Sequence, residues 1–130
     1  MSAYYKDSEV IAMERNMQTH IEKLIQDIKA DYVRFMSNVG DKADIRQDMI
    51  DNFVDNVTYN EGKKYIKILK KLGTQTMVWG FIVNVDDDKK FRKGDILMAA
   101  GFNAPARNKP RGNVLDGEYT IRWTGPEYLK

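Results

Sequence analysis

No cysteine occurs among the 130 residues, which excludes disulfides and thiolate metal sites and fits a reducing, cytoplasmic setting. Histidine occurs once, as His20, one position off an apolar stripe, where local hydrogen bonding is its expected role. With no thiol, no second histidine, no G-x-S-x-G elbow and no phosphate-binding glycine loop, no nucleophile–base pair can be assembled. The chain is expected not to be an enzyme. Scattered acids leave a carboxylate–metal nuclease as the one catalytic alternative. No apolar run approaches the roughly 18 residues that span a bilayer, and the N-terminus has no signal-peptide core, so no membrane partner is expected. Proline is confined to Pro105, Pro110 and Pro126, beyond the region of helical periodicity.

What is present divides the chain in two. Residues 1–60 hold seven Lys/Arg against eleven Asp/Glu, whereas residues 61–130 hold fourteen against eight. The net charge of +2 therefore hides an acidic half and a basic half, which often differ in their partners.

In the acidic half, Asp7 can cap a helix with Glu9 in its first turn. Apolar residues follow at Val10, Met13, Met17, Ile21, Leu24, Ile28, Tyr32, Phe35 and Val39, with Ile25 and Met36 widening the stripe. The 3-4-4 repeat has an eleven-residue period, so the stripe runs nearly straight along a helix from about Ser8 to Ser37. Gly40 and Asp41 mark a stop and a restart, and Ile45, Met49, Ile50, Phe53, Val54 and Val57 define a second helix. The first helix is roughly 45 Å long and the second about 22 Å. Half of the first stripe must therefore rest on the C-terminal domain or on another copy. This predicts a homo-oligomer built by antiparallel pairing of long helices; one long helix lying across its own sheet is the alternative.

After Gly62 the apolar period falls to two. Lys64 to Leu72 reads as a strand, Gly73-Thr74 as a tight turn, and Met77, Trp79, Phe81, Val83 and Val85 as one face of a second strand. Val78 and Ile82 make the middle of that strand apolar on both faces, as in a central strand. Asp86-Asp87-Asp88 reads as a solvated turn, without the glycine and distal glutamate of a calcium loop. Lys93-Gly94-Asp95 turns the chain again before a strand at Ile96 to Ala100. A short strand from Val114 ends at the Asp116-Gly117 hairpin signal, and Tyr119, Ile121 and Trp123 alternate inward with Thr120, Arg122 and Thr124 outward. The fold class is α+β: a helical hairpin over residues 1–60, then a small, bent antiparallel sheet over 61–130. Closure into an SH3-like (Sm-like) or OB-type barrel is expected, with an open sheet under the first helix as the alternative.

The series Phe91-Arg-Lys-Gly94-Asp95-Ile-Leu, Ala99-Ala100, Ala104-Pro105-Ala106-Arg107, Arg111-Gly112-Asn113 and Trp123-Thr-Gly-Pro126 resembles a module in small proteins of tailed phages, notably those infecting marine cyanobacteria. It covers roughly Lys64 to Leu129 and implies no catalytic residues. In outline, the chain is also similar to Sm-like RNA-binding proteins, without their sequence signatures.

The segment Gly101 to Asn113 carries Arg107, Lys109 and Arg111, and no acid occurs from Ile96 to Leu115. With Lys89, Lys90, Arg92 and Lys93 from the preceding loop, these residues form a candidate phosphate-binding surface, and Phe102 is placed to stack on a base. Ala99, Ala100, Gly101, Ala104 and Ala106 equally suit close packing against another chain. Gly112, if its φ is positive, would let Arg111-Gly112-Asn113 form an anion nest in place of a plain turn. The expectation is a homo-oligomer that binds nucleic acid, with no cofactor, metal or small-molecule substrate. The alternative is an adaptor whose Ala/Pro-rich loop is a protein interface. Whether the two basic loops adjoin in space does not follow from the sequence.

Overall fold

A long helix and a shorter one lie on one face of an antiparallel sheet, and short ribbons cover its other face and its margins. In the computed structural model the described backbone covers residues 2–38 and 43–126, with side chains described over 17–38 and 44–126. The elements are α1 (Ser2–Ser37), α2 (Ala43–Asp55), β1 (Thr58–Glu61), β2 (Tyr65–Leu72), β3 (Gln75–Val83), β4 (Ile96–Leu97), β5 (Ala99–Gly101), β6 (Ala104–Pro105), β7 (Gly112–Asn113), β8 (Glu118–Tyr119), β9 (Ile121–Arg122) and β10 (Gly125–Pro126).

Helix α1 begins before the expected Asp7 cap, which falls inside it. Met17, Ile21, Leu24, Ile28 and Tyr32 are buried, as the eleven-residue repeat requires. Beyond Tyr32 the stripe turns through Met36, and Phe35 is left 49% exposed. The side chains of Val10 and Met13, and all of Val39, Gly40 and Asp41, lie outside the described residues. At its end, Ser37 Oγ and Asn38 Nδ2 donate back to the Val33 and Arg34 carbonyls, one turn earlier. Helix α2 buries Phe53 but leaves Ile45 and Met49 about half exposed. Tyr32 and Phe53 stack at 4.0 Å, and Trp123 meets both rings edge-on.

The main sheet is a meander in the order β1-β2-β3-β4. It does not close into the expected barrel. Strand β4 pairs through only two residues, and the later strands form separate two-stranded ribbons, leaving β1 and β4 as edges. This is the open sheet under the first helix. Strand β1 precedes the expected start of the β half, and one core joins both halves: Ile21, Leu24 and Phe53 pack with Ile66, Ile68 and Ile82. Gly73 takes φ 60 in the tight turn to β3, which lies between β2 and β4 as a central strand should.

One departure reorganises β3. Ile68 faces Gly80, whereas Leu69 faces Val78, so Trp79 is an extra residue in a β-bulge. Met77, Trp79, Phe81 and Val83 therefore do not share a face. Trp79 enters the core under the helices, while Phe81 and Val83 join Phe91 and Leu97 in a second core on the other side. The indole Nε1 donates to the Arg122 carbonyl at 2.8 Å.

The C-terminal segment alternates as expected, with Tyr119, Ile121 and Trp123 packed on the helix-side core. It turns at Trp123-Thr124, earlier than the Gly125-Pro126 stop. The preceding ribbon, β7–β8, starts at Gly112, two residues before the expected Val114. Asp31 accepts from the Trp123 amide at 2.8 Å, and Asp27 accepts from the Tyr119 hydroxyl. Lys70, only 4% exposed, donates to the carbonyls of Thr124 (2.8 Å) and Trp123 (3.3 Å). Burial pushes its ammonium pKa down.

Candidate nucleic-acid interface

The second core needs Phe91, which is 4% exposed, and drawing that ring inward pulls the preceding turn in with it. Asp86 and Asp87 stay exposed, but the Asp88 side chain is only 1% exposed, unlike the wholly solvated turn expected. Its Oδ1 accepts from the backbone amides of Lys90 (2.8 Å) and Phe91 (3.0 Å) and from Arg107 Nη2 (3.0 Å). Lys64 Nζ lies 3.9 Å from its Oδ2. The Arg107 guanidinium, followed by the two loop amides, holds the Asp88 carboxyl well below the usual carboxylate range. The same ion pair raises Arg107.

Arg107 reaches Asp88 because the Gly101–Asn113 segment is folded back on itself. Ala99 pairs with Pro105 and Gly101 with Ala104, so Phe102-Asn103 is a two-residue turn at a hairpin tip. The returning arm then runs beside β4, with the Ala106 amide donating to the Met98 carbonyl and the Arg111 amide to the Ile96 carbonyl. This carries Arg107 across the Phe91 ring, 4.9 Å from its centroid, and its Nη1 donates to the Tyr65 hydroxyl. From the other loop, Lys90 Nζ donates to the Arg107 carbonyl at 2.6 Å. The two basic loops are thus in direct contact.

Between them and the β1–β2 turn lies a groove of about 450 Å³, lined by Lys63, Lys64, Val85, Asp87, Asp88, Lys89 and Arg107. Four cations face two carboxylates, and Asp88 is already engaged. Lys63 and Lys89 have no ion-pair or hydrogen-bond partner for their ammonium groups among the described residues. Lys63 and Lys64 were not among the expected contacts. Their signal was the Gly62-Lys63-Lys64 turn, but its neighbour in space is set by pairing across the sheet.

The other expected residues are distributed around this groove. Phe102 is 54% exposed at the hairpin tip, with Lys67 Nζ 4.3 Å over its ring and 2.7 Å from Asn103 Oδ1. Arg92 pairs with Asp116 at 3.0 Å, on the side of the β7–β8 turn. Lys93 lies beside it, its carbonyl accepting from Asn113. Arg111 folds onto its own segment, touching Met98 Sδ and the Lys109 carbonyl. Neither Lys109 nor Arg111 lines the groove.

The buried pair Asp95 and Asn113 fixes the base of both loops. Asn113 Nδ2 donates to Asp95 Oδ1 at 2.9 Å, and its Oδ1 accepts from the Leu115 and Asp116 amides. Gly94 takes φ 92 here, and a Cβ would lie 2.8 Å from Asn113 Oδ1. Gly112 does take a positive φ, but to accommodate Tyr119, and the flanking Arg111 amide is spent on Ile96. Arg111-Gly112-Asn113 is thus neither the anion nest nor the plain turn: it leads into β7, paired with β8.

Among the described residues no three His, Cys, Asp or Glu side chains gather as a metal site. None of the described helices is long and apolar enough to cross a membrane. The chain matches no protein-family model, no curated protein and no solved structure, so its function has to be read from this geometry.

Proposed function

We propose that this chain is a non-enzymatic, phage-type protein that forms a homo-oligomer in the cytoplasm of a bacterial cell and binds nucleic acid at the groove between its basic loops. The observation that carries the reading is the contact of those loops, Lys90 to the Arg107 carbonyl. It concentrates Lys63, Lys64 and Lys89 beside a fixed arginine. The work is electrostatic: the ammonium groups of Lys63 and Lys89, without carboxylate partners among the described residues, replace the counterions of a phosphate chain, and the released ions drive binding. Arg107 is chiefly a strut, since Asp88 already occupies it.

Exposed Val33, Phe35, Ile45 and Met49 support assembly through the helical hairpin. The last two line an apolar cleft of about 330 Å³ with Tyr32, Phe53 and Leu72.

The test is fluorescence anisotropy with a labelled oligonucleotide across a salt series. Affinity should fall steeply with salt, and Lys63→Ala with Lys89→Ala should reduce the slope by about one per lost phosphate contact. An affinity and slope unchanged by the pair would sink the proposal. A second reading, an adaptor using the Ala/Pro-rich hairpin as a protein interface, is favoured by the exposed Ala100, Gly101 and Ala104. It expects Ala100→Glu to change the mass seen by light scattering while nucleic-acid binding stays as it was.

A further inference from the structure

We infer that the ligand of this surface is single-stranded nucleic acid, with a base on Phe102 and the adjoining backbone in the Lys63/Lys89 groove. The inference rests on the nucleic-acid reading and goes beyond it by fixing the form of the ligand.

The argument starts from β2. Side chains alternate along a strand, so Tyr65 and Lys67 point to the same side, away from the helices, where Ile66 and Ile68 point. Tyr65 holds Arg107 at one end of this row, and Lys67 holds Phe102 and Asn103 at the other. The charged groove and the exposed ring are therefore anchored two residues apart on one strand, roughly 7 Å. A base on the ring and a neighbouring phosphate in the groove can thus belong to one short stretch of strand, provided the face of the base is free to stack.

The chemistry of the tip points the same way. Phe102 offers a π face and no donor or acceptor, so it cannot read a base edge in a groove. It can stack on a base, but in a duplex those faces are covered by neighbouring pairs. Lys67 lies on the ring and holds Asn103 Oδ1, which keeps the aromatic presented at the tip of a short hairpin. The helices, which would be the elements to enter a major groove, pack on the opposite face of the sheet.

The experiment compares a labelled oligothymidylate of about 12 nucleotides, a length within the usual site sizes, a duplex of equal length, and inorganic polyphosphate as competitor, using the full-length chain. The single strand should bind at least about tenfold more tightly than the duplex, and polyphosphate should compete weakly for its charge. Phe102→Ala should weaken single-strand binding by about tenfold, with the salt slope unchanged, and Phe102→Trp should restore it. The variant side chain is exposed, so folding is not at issue. Equal affinity for strand and duplex, both indifferent to Phe102→Ala but weakened by Lys63→Ala with Lys89→Ala, overturns the single-strand inference and leaves the nucleic-acid reading standing. Polyphosphate competing as well as the oligonucleotide also overturns it. No binding of either nucleic acid overturns both.

Discussion

Arg107 donates to a carboxylate oxygen of Asp88 across 19 positions of sequence, and that oxygen also accepts two backbone amides of its own turn. One buried oxygen thus organises a turn and fastens a second loop to it. The basic surface is built around an acid.

Acid should loosen this arrangement. The Asp88 carboxyl titrates below its unfolded range, so its stabilisation is fully present above about pH 4 and is lost as pH falls further toward the depressed folded value. Urea unfolding of the wild type and of Asp88→Asn should therefore show a gap at about pH 7 that narrows below about pH 4. The same gap at both pH values would mean that the carboxylate charge does not stabilise the fold.

Gly112 and Gly117 separate crowding from backbone preference. Both have positive φ, 134 and 75, but a Cβ on Gly112 would sit 2.5 Å from the Tyr119 Cβ, whereas nothing lies within 4 Å of one on Gly117. Gly117→Ala should cost about 1–2 kcal/mol from the left-handed backbone alone. Gly112→Ala should cost at least about 3 kcal/mol, since a clash is added. Equal losses in denaturant unfolding would show that the β7–β8 ribbon yields freely.

Phe53 joins helix to helix and both to the C-terminal segment through its contacts with Tyr32 and Trp123. Phe53→Ala should destabilise by about 3–5 kcal/mol and shift the emission of Trp123, which loses an edge contact. A loss of less than about 1 kcal/mol would mean that the cluster collapses to fill the space.

Lys70 buries an ammonium against carbonyls, with no carboxylate partner among the described residues. Its folded pKa is lowered by burial, so the unfolded chain binds the proton more strongly and stability gains as pH rises toward the usual lysine value of about 10.4. Lys70→Met should accordingly match or exceed the wild type near pH 7 and lose that advantage as pH approaches about 10. A deficit above about 3 kcal/mol near pH 7 would show instead that the carbonyl hydrogen bonds dominate.

Local rules carried much of this fold. The α1 stripe from Met17 to Tyr32, the Gly73 and Gly117 turns and the alternation from Tyr119 to Thr124 all follow from spacing and backbone preference. What sequence could not reveal depends on partners distant along the chain. Asp88 looks like its two exposed neighbours until Phe91 needs a core to enter. Lys63 joins the site only because β2 pairs where it does. The bulge at Trp79 was hidden because a regular alternation continues straight through it. Phe35 was misplaced for a related reason: Trp123, which it meets at 5.3 Å, comes from the far end of the chain and leaves the ring at the rim.

The bulge makes the length of β3 matter more than its composition. Val78 and Phe81 serve one core and Trp79 and Ile82 the other, so a single inserted or deleted residue between Trp79 and Phe81 would send the side chains on one side of it into the wrong compartment. Either the indole would be driven toward the basic hairpin, or the ring that supports Tyr65 would turn toward the helices. Hydrophobic exchange along β3 should be survivable, whereas a change of reading length there should abolish the helix packing and the basic groove together.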